Sequence, residues 1–318
     1  MGNGSGFGKV ILFGEHFVVH GIPGIVSAID STTEAKVRKT GNQIVIKDER
    51  KTAKGYSQEK KLQQLESIDR MLKKMGINHE TALEIWIGGT LPGFSGLGAS
   101  AASSVAIARA IAETFNMKLT DERINNIAYE GEKAYAGTPS GIDNTAATFG
   151  GLLWFQKNLI GDSNSIETLH IREPIDIIIG STGIVANTKA MVEGVANRKR
   201  ESTEKYNAIF RRAEEIAFAG KKALLDFNLD KVGELMNENH HLLQQIGVSH
   251  EILDRLVEIA IKQGAYGAKL TGGGGGGCMT ALTPGTTLQK KVAKAIEKEG
   301  YEILSTRIGV EKTQGRIP

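Results

Sequence analysis

Six consecutive glycines, Gly272–Gly277 in "KLTGGGGGGCMTALT", set the sharpest constraint on this chain. Glycine loses more conformational freedom on folding than any other residue, so an ordered run this long needs a backbone purpose. A flexible linker would lie between polar flanks and join two domains. This run is bracketed instead by "GAKL" and "CMTALT", apolar pieces that read as core. An ordered loop that shapes a binding site is the expectation.

At 318 residues the chain has room for two ordinary domains. A net charge of +3 is small for that length and argues against non-specific binding to nucleic acid. The single cysteine, Cys278, rules out an intramolecular disulfide and a multi-cysteine zinc site, and it fits a reducing, cytoplasmic setting. No apolar run approaches the roughly 20 residues needed to cross a bilayer. The opening "MGNGSGFGKV" has neither the basic nor the apolar region of a secretory signal, so no membrane partner is expected.

Strands are expected at 9–13, in "AIDSTTEAKVRKT" and in "NQIVIKDE", with Gly41 as the turn between the last two. Residues 58–76 read as an amphipathic helix, and "TALEIWIGG" as a strand. A glycine-rich loop, "TLPGFSGLGAS", runs into a helix, and a second helix follows, capped by Thr120 or Asp121. "GTPSGIDNTAATFGG" reads as a turn, and "LLWFQ" and "IDIIIGS" as strands. The polar stretch 157–169 between those strands is the expected boundary, giving domains 1–165 and 166–318. Helices over 188–227, 229–244 and 248–264 precede the glycine run. The strand "CMTALT", a helix over 286–299 and the strand "YEILSTRIG" follow it. Without regular βαβ alternation, the fold class is α+β.

Three segments carry chemistry. In "PGFSGLGASAASS" the glycines let backbone N–H groups face an anion, and the helix that starts there adds its positive end. "GLGASA" also fits a dinucleotide fingerprint, but that needs a second strand where this sequence has a second helix. A Walker loop fails because Gly8-Lys9 is followed by Val10. His16 and His20 would share a face only on a helix, and "FVVHG" is poor helix material, so zinc is not expected. Glu132 ends an apolar row formed with Ile124 and Ala128. A carboxylate there needs a lysine or a metal ion. Ser100 as a second oxygen ligand, with phosphate oxygens nearby, suits Mg2+. Taken singly, Lys9 is a cation at a strand end and Asp143 caps its own backbone.

Together these segments resemble the GHMP kinase superfamily, which phosphorylates small metabolites with ATP, and most closely the mevalonate kinases within it. "GKVILFGEHFVVHG" is similar to the first motif, "PGFSGLGASAA" to the second, "YEGEKAYAGTPSGIDNTAATFGG" to the catalytic segment and "GAKLTGGGGGGC" to the third motif. The resemblance implies a ribosomal protein S5 domain 2-like N-terminal domain and a ferredoxin-like C-terminal domain, with the active site in the cleft between them. It implies that Asp143 takes the proton of the attacking hydroxyl, with Lys9 beside it. It implies ATP binding along Pro92, Gly93, Ser95, Gly96, Leu97, Gly98, Ala99, Ser100 and Ala101, and Mg2+ on Ser100 and Glu132. Glu15, His16 and Thr188 would line the acceptor pocket, and Gly272, Gly273, Gly274 and Gly275 would form the third-motif loop. Mevalonate and ATP are the implied partners and a homodimer the implied assembly.

Two departures stand out: Ala99 replaces a usual serine of the second motif, and Phe7 a usual proline of the first. In the third motif Gly273 stands where alanine or threonine is usual. A phosphomevalonate, homoserine or sugar acceptor, or a non-catalytic nucleotide sensor on the same fold, are the rival readings. Lys9, Glu132 and Asp143 occurring together argue against the sensor.

Overall fold

The computed structural model describes residues 1–41, 43–51, 56–78, 80–93, 96–137, 139–161 and 164–311, and of 56–60 the backbone alone. Its first strand, β1 (Gly2–Phe13), begins well before the apolar stretch 9–13. The reason is a glycine at every second position. Gly2, Gly4 and Gly6 all face helix α2 (Ala99–Thr114), where an added Cβ would lie 2.2, 2.2 and 2.3 Å from the carbonyl oxygens of Ala110, Ala106 and Ala102. Two strand residues advance about 6.6 Å and four helical residues about 6 Å. The two rows stay in step, and the helix backbone lies directly on the strand.

β1 pairs antiparallel with β2 (Gly24–Lys39) from Ile25 to Val37. The far edge of β2 is shared by β4 (Leu83–Gly89) and β5 (Leu152–Gln156), both antiparallel. The strand β3 (Val45–Asp48) does not return to β2 across a turn at Gly41, as the sequence suggests. It runs parallel to β4, outside it. Polarity explains the order: β4 buries Leu83, Ile85 and Ile87, whereas β3 is half exposed and suits an edge. β6 (Ser165–Leu169) pairs with β5, so this sheet continues to Leu169.

Helices α2 and α4 (Ile142–Phe149) pack on this sheet, and α1 (Tyr56–Met75) and α3 (Asp121–Ala136) pack on each other and on α2. The segment expected to be a turn around Asp143 is α4. Gly141 (φ 90°) opens it and Gly150 (φ 72°) ends it. Ile142 and Ala146, four residues apart, bury against Val26 and Phe155.

The remaining strands are β7 (Ile175–Ser181), β8 (Gly267–Thr271), β9 (Cys278–Leu282) and β10 (Glu302–Ile308). They lie in the order β10-β7-β9-β8, all antiparallel, the arrangement of a ferredoxin-like unit. Helices α5 (Thr188–Glu201), α6 (Thr203–Leu225), α7 (Leu229–Gln245) and α8 (Glu251–Lys262) form the first crossover, and α9 (Thr286–Lys298) the second. A break at Ser202 divides the expected 188–227 helix in two. The two sheets join where Ile308 meets Ile29. Among the described residues, no helix is long and apolar enough to cross a membrane.

Candidate active site

The outer edge of β1, which no strand pairs among the described residues, is where the candidate site is built. The amide of Lys9 donates to Leu97 O at 2.9 Å, and the amide of Ile11 donates to Thr271 Oγ1 at 3.0 Å. The glycine-rich loop and β8 therefore dock on the strand that carries Lys9. The Lys9 side chain is buried. Its Nζ lies 3.1 Å from Asp143 Oδ1 and donates to Gly96 O at 3.1 Å. Asp143 occupies the first turn of α4, where the positive end of the helix favours a carboxylate.

Gly98 is the N-cap of α2 in a left-handed conformation (φ 68°), and no side chain caps the helix. The amides of its first turn, from Ala99 to Ala101, thus lack an intrahelical acceptor, the usual setting for an anion. Pro92 and Gly93 are buried at the loop's entry, with Gly93 N donating to Lys51 O at 2.7 Å. Ser95 lies outside the described residues. Arg50, which sequence reasoning missed, donates to Ala99 O at 3.2 Å and to Ser103 Oγ at 2.8 Å, and so anchors the first turns of α2.

The six glycines are an ordered wall. Gly272, Gly274, Gly275, Gly276 and Gly277 all have positive φ. A Cβ on Gly272 would come within 2.6 Å of Gly96 Cα, and one on Gly274 within 2.1 Å of Val248 O. The second half of the run is pinned: Gly275 N donates to Val248 O at 2.9 Å and Gly277 N to Ile184 O at 3.0 Å. Gly273 is free of the φ requirement, but a Cβ there would meet Thr188 Oγ1 at 2.4 Å. That contact brings the exposed Thr188 to the glycine wall.

Glu132 is buried on α3, with Oε2 accepting from Ser100 Oγ at 3.1 Å and Oε1 from Ser104 Oγ at 3.3 Å. Burial first, and the charge of Asp143 second, push its carboxyl up to about 8. An oxygen-only donor set around a carboxylate so short of positive charge fits a hard divalent cation.

His16 sits at φ 61°, and its Nε2 is 3.0 Å from Gly273 O. A carbonyl only accepts, so Nε2 carries the proton and Nδ1 is left as a buried acceptor without a partner among the described residues. Burial pulls the imidazole pKa down to about 4, so it is neutral near pH 7. Glu15 is placed differently from its neighbour. Both its oxygens are engaged inside the protein, Oε1 by Lys269 and Oε2 by Asn239 Nδ2 at 3.3 Å.

Comparison with known proteins adds the family. The model of the GHMP kinases N terminal domain matches residues 64–151, and that of the GHMP kinases C terminal matches 221–302. The chain belongs to the GHMP kinase family. It is accordingly an ATP-dependent small-molecule kinase. A mevalonate kinase of Pyrococcus horikoshii is 35% identical, with 95% of this chain and 94% of that protein covered. The crystal structure of L. major mevalonate kinase in complex with R-mevalonate matches with a TM-score of 0.90 at 34% identity, covering 97% and 96% of the two chains. A Streptococcus pneumoniae phosphomevalonate kinase, solved with phosphomevalonate and AMPPNP, shares the fold at 19% identity and a TM-score of 0.76, covering 97% of this chain and all (100%) of that one.

Lys269 also escaped sequence reasoning. Lys269 had a readable signal, since a lysine inside a strand taken as core must find a partner.

Proposed function

We infer that this GHMP kinase transfers the γ-phosphate of ATP to the 5-hydroxyl of mevalonate, giving 5-phosphomevalonate and ADP. The observation that carries the reading is the position of Lys9 Nζ, 3.1 Å from Asp143 Oδ1 and 3.1 Å from Gly96 O. Acid, cation and phosphate loop converge on one point. The likeness to mevalonate kinases over nearly the whole chain selects the acceptor.

In this reading the acceptor oxygen attacks the γ-phosphorus, its proton passes to Asp143 Oδ and the bond to the ADP oxygen breaks. A free aspartate has a pKa of about 3.9, a feeble base for an alcohol. A loose transition state asks for little early proton removal, so positioning and charge neutralisation dominate. At 3.1 Å and an effective dielectric near 20, the Lys9–Asp143 attraction is about 5 kcal/mol before desolvation and solvent screening are subtracted. That holds the Asp143 carboxylate in a fixed orientation. The open N-terminus of α2 receives the phosphates, with Gly272–Gly275 walling the nucleotide. His16 Nδ1 is free to accept a hydrogen bond from the acceptor, and Thr188 lies beside Gly273 at the same wall.

Ser100 Oγ and Glu132 are the residues we assign to Mg2+, which when bound offsets the charge of the phosphate oxygens. Two domains, with the division expected between 165 and 166 moved to follow β6 at Leu169 because β6 belongs to the first sheet, a cytoplasmic setting and a homodimer complete the proposal. Light scattering on the purified chain tests the dimer. ADP release measured with mevalonate, phosphomevalonate, homoserine and galactose in parallel tests the acceptor. Mevalonate should give the highest kcat/KM, and a better value on any other acceptor would overturn this reading.

A further inference from the structure

Lys269 and Glu15 form an ion pair in which both side chains are fully buried (0% exposed). The pair joins segments 254 residues apart: β8, at the foot of the glycine run, and the turn that follows β1. Every donor of the Lys269 ammonium is used. It bonds to the Glu15 carboxylate, to Leu270 O at 2.7 Å and to Ile11 O at 3.3 Å. Asn239 on α7 holds the other Glu15 oxygen. Thr271 Oγ1 accepts from Ile11 N at 3.0 Å and lies 3.3 Å from Ile11 O. β1 and β8 share no backbone ladder, since β1 pairs with β2 and β8 with β9. The side chains of Lys269 and Thr271 take the place of one at Ile11.

A buried ion pair is a poor source of stability, because desolvation consumes most of the attraction and apolar side chains of the same volume often do better. What it supplies instead is direction, since each hydrogen bond fixes an angle as well as a distance. The geometry here is specific to the site. Glu15 precedes His16, whose ring contacts Gly273 O, so two clasps join the same two segments. Lys9 lies on β1, two residues before the clasped Ile11.

We propose that Lys269 and Glu15 are positioning residues for phosphoryl transfer. Their ion pair fixes the glycine run against the strand that carries Lys9, and so sets the spacing between the nucleotide wall and the Lys9–Asp143 pair. Neither side chain need touch substrate. The inference rests on the kinase reading above, and turnover of mevalonate by the wild type is the control for that reading. Loss in a variant measured against an active wild type reports on the pair alone.

The test compares Lys269→Met, Glu15→Gln and the double variant. Each single variant leaves a buried group without its partner and should lower Tm. The double variant removes both charges and should recover Tm to within about 3 °C of wild type, the equivalent of roughly 1 kcal/mol. Its kcat should stay about 10- to 100-fold below wild type, the scale of a sub-ångström to 1 Å misplacement, with KM for mevalonate changed less than about threefold. A double variant that regains both Tm and kcat would reduce the pair to packing and overturn the proposal. Where the double variant does not fold, Thr271→Val decides, since it keeps the shape and removes only the hydroxyl that clasps Ile11. A fall in kcat at constant KM then supports the proposal, and unchanged kcat overturns it.

Discussion

Replacing Gly98 by alanine should damage catalysis far more than stability. Gly98 has φ 68°, a conformation that costs a residue with a Cβ about 1–2 kcal/mol. The new Cβ would also lie 2.8 Å from Lys9 Cγ and 3.1 Å from Lys9 Cε. Ordinary contact begins at 3.4 Å, so the Lys9 stem must move by roughly 0.6 Å. Lys9 is buried between Asp143 and Gly96 and has no free side to move towards without lengthening one of those contacts. A displacement approaching 1 Å costs about 100-fold in rate. Gly76 provides the control, for it has φ 72° with nothing within 4 Å of an added Cβ. Gly76→Ala carries the same backbone strain without the clash. Steady-state kinetics and thermal melts on both variants separate the two effects. Similar losses of Tm are expected, no more than about 2–4 °C per kcal/mol, with kcat falling at least tenfold in Gly98→Ala only. Equal kcat in the two variants would refute the argument that Lys9 has to hold this position.

Glu132→Gln should raise the Mg2+ concentration needed for half-maximal rate by tenfold or more, because a charged oxygen ligand is lost; an unchanged Mg2+ dependence would remove Glu132 from the metal site. The buried histidines predict acid lability. Burial lowers both His16 and His240 to about 4. The unfolded chain binds these protons below about 6.5 and the folded protein does not until about 4, so the histidines' contribution is constant above pH 6.5 and is lost between 6.5 and 4, while Glu132, raised to about 8, acts in the opposite sense over the same range. The loss reaches at most about 3 kcal/mol for each histidine. In melting curves from pH 7.5 to 5 the Tm of wild type should fall relative to that of His240→Gln as pH drops, and a difference between the two that stays constant with pH would contradict the assignment.

Local rules made part of this architecture readable. The Thr120 cap was legible because a threonine before an acidic turn accepts from the third amide, and here it accepts from Arg123 N. The glycine run was legible as ordered because its flanks were apolar. The path of β3 was not legible, since a turn at Gly41 says nothing about which strand will occupy the inner position. Helix α4 was hidden by the glycines that delimit it, Gly141 and Gly150, which look the same in a turn. The first seven residues carried a signal of period two, but its meaning depends on a helix about 100 positions away along the chain. Around the site, the resemblance of the first motif assigned Glu15, with His16, to the acceptor pocket. The partner that engages it, Lys269, lies at the other end of the chain, where no local pattern connects them.

The central claim is that Asp143, held by Lys9, serves the acceptor hydroxyl and contributes nothing essential to nucleotide binding. The direct measurement is mevalonate-dependent ADP release by Asp143→Asn beside wild type, with ATP affinity determined on the same samples. General-base assistance is typically worth about 10²–10⁴ in rate. The account predicts a kcat loss of at least that size, with the Kd for ATP changed less than about threefold. Turnover within tenfold of wild type, or loss of ATP binding in step with loss of rate, would contradict it.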